Sequence, residues 1–198
     1  FKHESYGIII KDMSSSIFHD YDVRGRYPDQ INEAVFYNLG VALGQAFRPV
    51  QIAVGRDTRL SSETLFLYLT AGLASQKVKI INLGKVATPF CLWYSQKYHI
   101  DTVMLTASHN PKDQNGLKIY SGKSGAVDKN SGLLKVKARF DKLNFNLRPV
   151  DIKSARSFFI KGNTAQAFLE YNRYLINQSK GLNPKLKVTR LGMGIPTG

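Results

Sequence analysis

The stretch 51–83, QIAVGRDTRLSSETLFLYLTAGLASQKVKIINL, decides how the rest of the chain is read. Its two ends, Gln51-Ile52-Ala53-Val54 and Val78-Lys79-Ile80-Ile81-Asn82-Leu83, are short β-branched and apolar runs of the kind buried in parallel sheets. Between them Ser61 or Ser62 can cap a helix from Glu63 to Ala74. The same order repeats outward. Thr102-Val103-Met104-Leu105 and Lys118-Ile119-Tyr120 read as further strands, and Ile31 to Phe47 and Pro89 to Tyr98 as helices, with Pro89 in a first turn. Strands and helices alternating through short connections predict a layered α/β/α domain with a mainly parallel mixed sheet.

Beyond Tyr120 the pattern loosens. Ser121 to Asn130 is rich in Gly, Ser and Lys and reads as loop; Gly132 to Phe140 reads as a helix. The run from Leu143 to Ile152, with Pro149, has linker character, which puts a domain boundary near Arg148 to Lys153. Residues 13–148 then form the α/β/α domain, and 153–198 the incomplete start of a second α/β domain. That second segment holds a helix over Thr164 to Asn177, with Thr164 as its candidate N-cap, and a strand-like run Leu186-Lys187-Val188-Thr189.

A hydrophobic fraction of 43% with 21% charged residues is that of a folded globular chain, not a disordered one. Cys91, the one cysteine, sits in the apolar run Thr88 to Trp93 and reads as a buried structural thiol, so a reducing, cytoplasmic compartment is the default. No apolar run approaches the roughly 18 to 20 residues of a spanning helix, so membrane insertion is not expected. Met13, just before Ser14-Ser15-Ser16, is the expected natural start. The net charge of +14 is uneven: residues 1–122 hold 13 Lys and Arg against 10 Asp and Glu, and the remaining 76 hold 15 against 4. We read this excess as a lysine-rich solvated surface, with nucleic acid or another anionic partner as the alternative.

The strongest chemical signal is Thr106-Ala107-Ser108-His109-Asn110-Pro111, directly after an apolar strand and followed by Asn115-Gly116-Leu117-Lys118. Ligands of open α/β sheets gather at the carboxyl ends of strands. There the loop can offer backbone N–H groups to an anion, Lys118 a point charge, and the Ser108 hydroxyl a carrier for a phosphoryl group. The residues by themselves equally allow an Asn-Pro turn whose serine bonds to backbone, and a His109 that only positions its neighbours. No Gly-x-Ser-x-Gly elbow occurs, which discounts acyl transfer.

Two further clusters narrow the choice: Ile17-Phe18-His19-Asp20-Tyr21-Asp22-Val23-Arg24-Gly25, and Gly55-Arg56-Asp57-Thr58-Arg59. With Thr-Ala-Ser-His-Asn-Pro, in this order and spacing, they resemble the α-D-phosphohexomutase family of phosphomannomutase/phosphoglucomutase type. The resemblance is strong over about Ile17 to Tyr120 and looser to about Val188. It implies that Ser108 is phosphorylated in the resting enzyme and exchanges its phosphoryl group with a hexose phosphate, mannose or glucose 1- or 6-phosphate, through a hexose bisphosphate. It also implies that Tyr21, Arg24, His109 and Lys118 line the site, that Mg2+ is ligated in part by Ser108, and that Asn110, Arg56, Asp57 and Arg59 organise the loops. Asp20 and Asp22 are expected to be structural.

Tyr21-Asp22-Val23-Arg24-Gly25 is closer to the mannose and glucose mutases than to the phosphoglucosamine mutases, and the sugar stays open. His19, Gln114 and Leu117 depart from the family pattern without removing a reacting group. The family's Asp-rich metal loop, sugar-selecting loop and C-terminal phosphate-binding loop have no counterpart in the 198 residues. The chain is therefore expected to be an N-terminal fragment without turnover of its own. The rival reading is a basic binding module in which the Ser108 loop is merely retained.

Overall fold

A computed structural model describes residues 16–143 and 152–180. Among these, the strands in chain order are β1 (Val23–Arg26), β2 (Gln51–Arg56), β3 (Lys79–Lys85), β4 (Thr102–Leu105), β5 (Gln114–Ser121), β6 (Gly125–Ala126) and β7 (Phe159–Ile160). The helices are α1 (Glu33–Phe47), α2 (Ser62–Ser75), α3 (Thr88–Tyr98), α4 (Leu134–Phe140), α5 (Ile152–Ala155) and α6 (Thr164–Lys180). All seven strands form one sheet in the order β1-β5-β4-β2-β3-β7, with β6 pairing to β5. Strands β4, β2, β3 and β7 are mutually parallel; at one edge β5 runs antiparallel to β4, and β1 pairs antiparallel with β5 and so runs in the direction of β4.

Both faces of this sheet are covered, which is why its central strands are apolar throughout. Ile52, Val54, Val103, Leu105, Leu117 and Ile119 point to one face and share a core with residues of α1, α2 and α4. Their neighbours Ala53, Ile81, Leu83, Met104 and Tyr120 point to the other, against Phe90, Cys91 and Tyr94 of α3 and Ala167 and Tyr171 of α6. The expected α/β/α layering and mainly parallel sheet are therefore what the chain adopts. Cys91 is buried, and desolvation pushes its thiol well above the usual range, as a structural cysteine requires.

Local chemistry sets the helix limits. Asn32 caps α1 by accepting from Val35 N at 3.1 Å, and Arg48 closes it in a left-handed turn. For α2 the expected serine cap does not form: Ser61 makes no cap hydrogen bond. Its hydroxyl accepts from Asn115 Nδ2 instead, and Ser62 Oγ donates to Asp57, so both serines face the loop that carries Ser108. Thr164 begins α6, with Oγ1 donating to Asn82 O, while Asn163 O accepts from Ala167 N.

The division expected near 148–153 falls largely on residues outside the described set, as do Met13, the run Leu186–Thr189 and the tail to Gly198. What is described of the later segment lies on the same sheet: β7 extends β3 through Ile80–Phe159 and Ile81–Ile160, and α6 packs across α3 through Phe90–Phe168, Phe90–Tyr171 and Trp93–Tyr171 ring contacts. Among the described residues no helix is long and apolar enough to cross a membrane.

Helices α1 and α2 approach so closely that each needs a glycine at the crossing. A Cβ on Gly72 would stand 2.1 Å from Tyr37 O, and one on Gly40 2.2 Å from Leu69 O. Gly72→Ala must push the helices apart, and such overpacking costs about 1–3 kcal/mol. A lowered urea midpoint with an unchanged slope is the expected result; a midpoint equal to wild type would show that the helices do not meet there.

Candidate functional site

The loop Thr106–Asp113 joins two neighbouring antiparallel strands, β4 and β5, and a single arginine fills its middle. Arg59 Nη1 donates to Pro111 O at 2.6 Å and Gln114 O at 2.9 Å, and Nη2 to Ser108 O at 2.8 Å and Asn110 O at 2.7 Å. Its Nε donates to Asp57 Oδ2 at 3.1 Å. All five donors of the guanidinium are used. Asp57 is fixed in turn, because its Oδ1 accepts from Arg59 N and Ser62 Oγ. Gln114 differs from the family pattern only in its side chain, and it is the backbone oxygen that takes part.

Ser108 stands at the carboxyl end of β4 with φ 58°, a left-handed conformation that costs a non-glycine residue of order 1 kcal/mol. Two bonds hold it there: Ser108 N donates to Thr106 Oγ1 at 2.8 Å, and Ser108 O accepts from Arg59. The hydroxyl faces outward, with Oγ 3.4 Å from His109 Nδ1, and both side chains are exposed. The loop is closed from below by Asn115, fully buried, whose Nδ2 donates to Ser61 Oγ and Ser62 Oγ and whose Oδ1 accepts from Gly116 N. Thr106 N donates to Gly116 O, and Tyr27 N to Asp113 O.

Strand register brings the distant cationic residues to the same neighbourhood. Arg24 of β1 pairs with Gly116 of β5, and Met104 of β4 with Lys118 of β5. Alternation puts Arg24 and Lys118 on the face opposite the buried Val23 and Leu117. Gly116 is required: a Cβ there would lie 2.0 Å from Val23 O. Gly116 O also accepts from the N–H of Thr106, the residue that holds Ser108 N, so the Arg24–Gly116 pair lies next to the start of the serine loop. Lys118 Nζ is bound to Asp22 Oδ2 at 2.8 Å.

The other expected residues divide. Tyr21 sits at the tip of the turn closed by His19 N to Asp22 O and is 69% exposed. Lys129 braces this turn through Asp20 Oδ1 and the Asp20 carbonyl. Asn110 contributes its carbonyl to Arg59 and its N–H to Ala107 O. Arg56 points away from the serine loop; it binds Glu63 and Asn82 and lies over the Phe66 ring, tying β2 to α2 and β3. Leu117 is a fully buried core residue. Thr106 and Asn115 stand in the motif quoted from the sequence, but without a role of their own, and Ser61 and Ser62 were read only as helix caps; their bonds to the serine loop appear in the structure alone.

Among the described residues no three His, Cys, Asp or Glu side chains converge as metal ligands. Asp20, Asp22 and Asp57 are each bound to a basic residue. Ser108 would supply one oxygen of the roughly six that Mg2+ takes. The described residues thus do not make up a Mg2+ site, and no chemical step is drawn through that ion.

Residues 15–147 match the family model described as phosphoglucomutase/phosphomannomutase, alpha/beta/alpha domain I. The chain is 32% identical over 180 residues to the phosphomannomutase of Escherichia coli K12, a match covering 89% of this chain and 38% of that protein. It is 34% identical over 134 residues to the phosphoglucosamine mutase of Prochlorococcus marinus, covering 67% and 30%. A solved phosphoglucomutase/phosphomannomutase family protein from Burkholderia thailandensis superposes with a TM-score of 0.57 at 27% identity, over 65% of this chain and 30% of that one. The chain thus spans well under half the length of these relatives.

Arg59→Lys retains the charge but loses the fork that reaches four carbonyls. Losing two or more such bonds, each about 0.5–1.5 kcal/mol, should speed amide exchange across residues 108–114 by on the order of tenfold or more, leaving α1 unchanged. Exchange in that loop equal to wild type would show that the guanidinium does not hold it.

Proposed function

We propose a phosphoryl-carrying role for Ser108 in this chain, which belongs to the phosphoglucomutase/phosphomannomutase family. The parent activity is phosphohexomutase: interconversion of the 1- and 6-phosphates of a hexose, mannose or glucose, through a phosphoserine and a hexose bisphosphate. The observation that carries this is the Ser108 backbone, held left-handed at a strand end by a guanidinium while its hydroxyl is presented to solvent. Conformational strain kept by surrounding bonds marks functional positions more often than ordinary turns.

In the proposed reaction the Ser108 Oγ–P bond breaks as the free hydroxyl of the hexose phosphate bonds to phosphorus, and the proton of that hydroxyl ends on the departing Ser108 Oγ. The bisphosphate then returns its other phosphoryl group to Ser108 Oγ, which leaves the isomeric monophosphate. His109, with Nδ1 beside Ser108 Oγ, is positioned to exchange the serine proton. Arg24 and Lys118 supply positive charge where equatorial phosphoryl oxygens gain negative charge, the main demand of phosphoryl transfer. Tyr21, at its exposed turn tip, is assigned to the sugar phosphate. The remaining metal and sugar contacts are assigned to residues other than those described.

Phosphopeptide mass spectrometry of a full-length form should place phosphate on Ser108; phosphate on Ser61 or Ser62 with none on Ser108 would refute the assignment. Lys118→Ala or Arg24→Ala in that form should lower kcat by about 10²–10³-fold, the scale for one transition-state donor. Turnover equal to wild type in both variants would exclude their role.

A further inference from the structure

Asp22 has no part in the reaction as proposed above, yet it is ion-paired to Lys118, one of the two cations assigned to the transferring phosphoryl group. Extending the β1–β5 register by one pair sets Asp22 opposite Lys118, two positions from Arg24 on the same strand face. The pair is largely withdrawn from solvent, with side chains 13% and 24% exposed, and its Nζ to Oδ2 distance is 2.8 Å. An exposed pair would cost side-chain freedom for little gain. Here strand pairing has already fixed both backbones: Gly116 lets β1 press against β5, and Val23–Leu117 and Arg24–Gly116 lock the register. Lys118 carries a flexible four-carbon stem ending in a point charge, so its direction is set by what it is bonded to.

We infer that Asp22 is a positioning residue, which holds the Lys118 ammonium at the β1–β5 seam, on the face shared with Arg24, so that it meets the phosphate carried by Ser108. The inference rests on the phosphoserine reading above. Asp22 accepts one of the three N–H bonds of the ammonium and leaves two to point elsewhere. A phosphate on Ser108 takes one of these without displacing Asp22, and Lys118 then bridges the two anions. The turn His19–Asp22, braced by Lys129, sets where Asp22 stands, which links the first cluster of the sequence to the third.

The test uses the 198-residue chain labelled with 15N at its lysine side chains, prepared both unmodified and with Ser108→phosphoserine installed during translation. In the unmodified protein Lys118 Nζ should give an ordered, slowly exchanging signal coupled to the Asp22 carboxyl carbon. Phosphoserine should shift that signal. Asp22→Asn should abolish both the order and the phosphoserine-dependent shift, and Asp22→Glu should recover part of each; backbone amide spectra confirm that the variants fold. If Lys118 in Asp22→Asn still answers phosphoserine as wild type does, Asp22 is not the positioning residue, while the phosphoserine reading stands. If the wild-type signal ignores phosphoserine, Lys118 does not meet the phosphate, and its place in the proposed reaction fails with the inference. A wild-type Lys118 that is mobile and uncoupled to Asp22 also overturns it.

Discussion

Everything around Ser108 depends on one largely buried fork of charge, the Arg59 guanidinium. A loop of eight residues between adjacent antiparallel strands turns its carbonyls inward, and inward carbonyls without partners would carry a desolvation cost of about 1–3 kcal/mol each. Three of them, with the carbonyl of Gln114 at the start of β5, meet on one planar cation whose fifth donor goes to Asp57. The loop is thus shaped by a residue from the end of β2, one strand away, and Asp57 N bonds to Leu105 O at the end of β4. A parallel pairing of β2 and β4 is what brings the two strand ends level. The strained serine is a consequence of the sheet topology.

The opposite side of the loop shows the same economy. Residues 61 and 62 could have capped α2, but their hydroxyls serve Asn115 and Asp57 instead. The helix begins without a side-chain cap, and its first turn becomes part of the floor beneath the serine. Sacrificing about 1 kcal/mol of helix capping in this way leaves no buried polar side-chain atom unsatisfied among the described residues.

Much of this was legible in the sequence, for reasons particular to the residues. Ile52, Ile80 and Val103 declare buried parallel strands because both sheet faces are covered. Asn-Pro after an apolar run declares a loop at a strand end. Strand β1 was not legible as a strand: Val23-Arg24-Gly25-Arg26 is only four residues long with a glycine inside, and it is extended because β5 pairs with it. The grip of Arg59 was equally hidden, since its partners are carbonyls, which every residue has. So was the bond between Asp22 and Lys118, which lie 96 positions apart and meet through register.

Asn115 followed by Gly116 is, in a flexible chain, the dipeptide most prone to chemical ageing, because the glycine nitrogen can attack the asparagine side chain and expel its ammonia. In the folded protein that attack is blocked. Gly116 is pinned between two strands, and the Asn115 amide nitrogen donates to two serine hydroxyls in a site closed to water. Protection therefore lasts only as long as the fold does. A chain that lingers unfolded accumulates aspartate or isoaspartate at 115, and either would bring a negative charge and lose both donors where Ser61 and Ser62 wait for them. Time spent unfolded is thereby written into the floor of the site, and such a molecule refolds, if at all, with its serine loop unsupported.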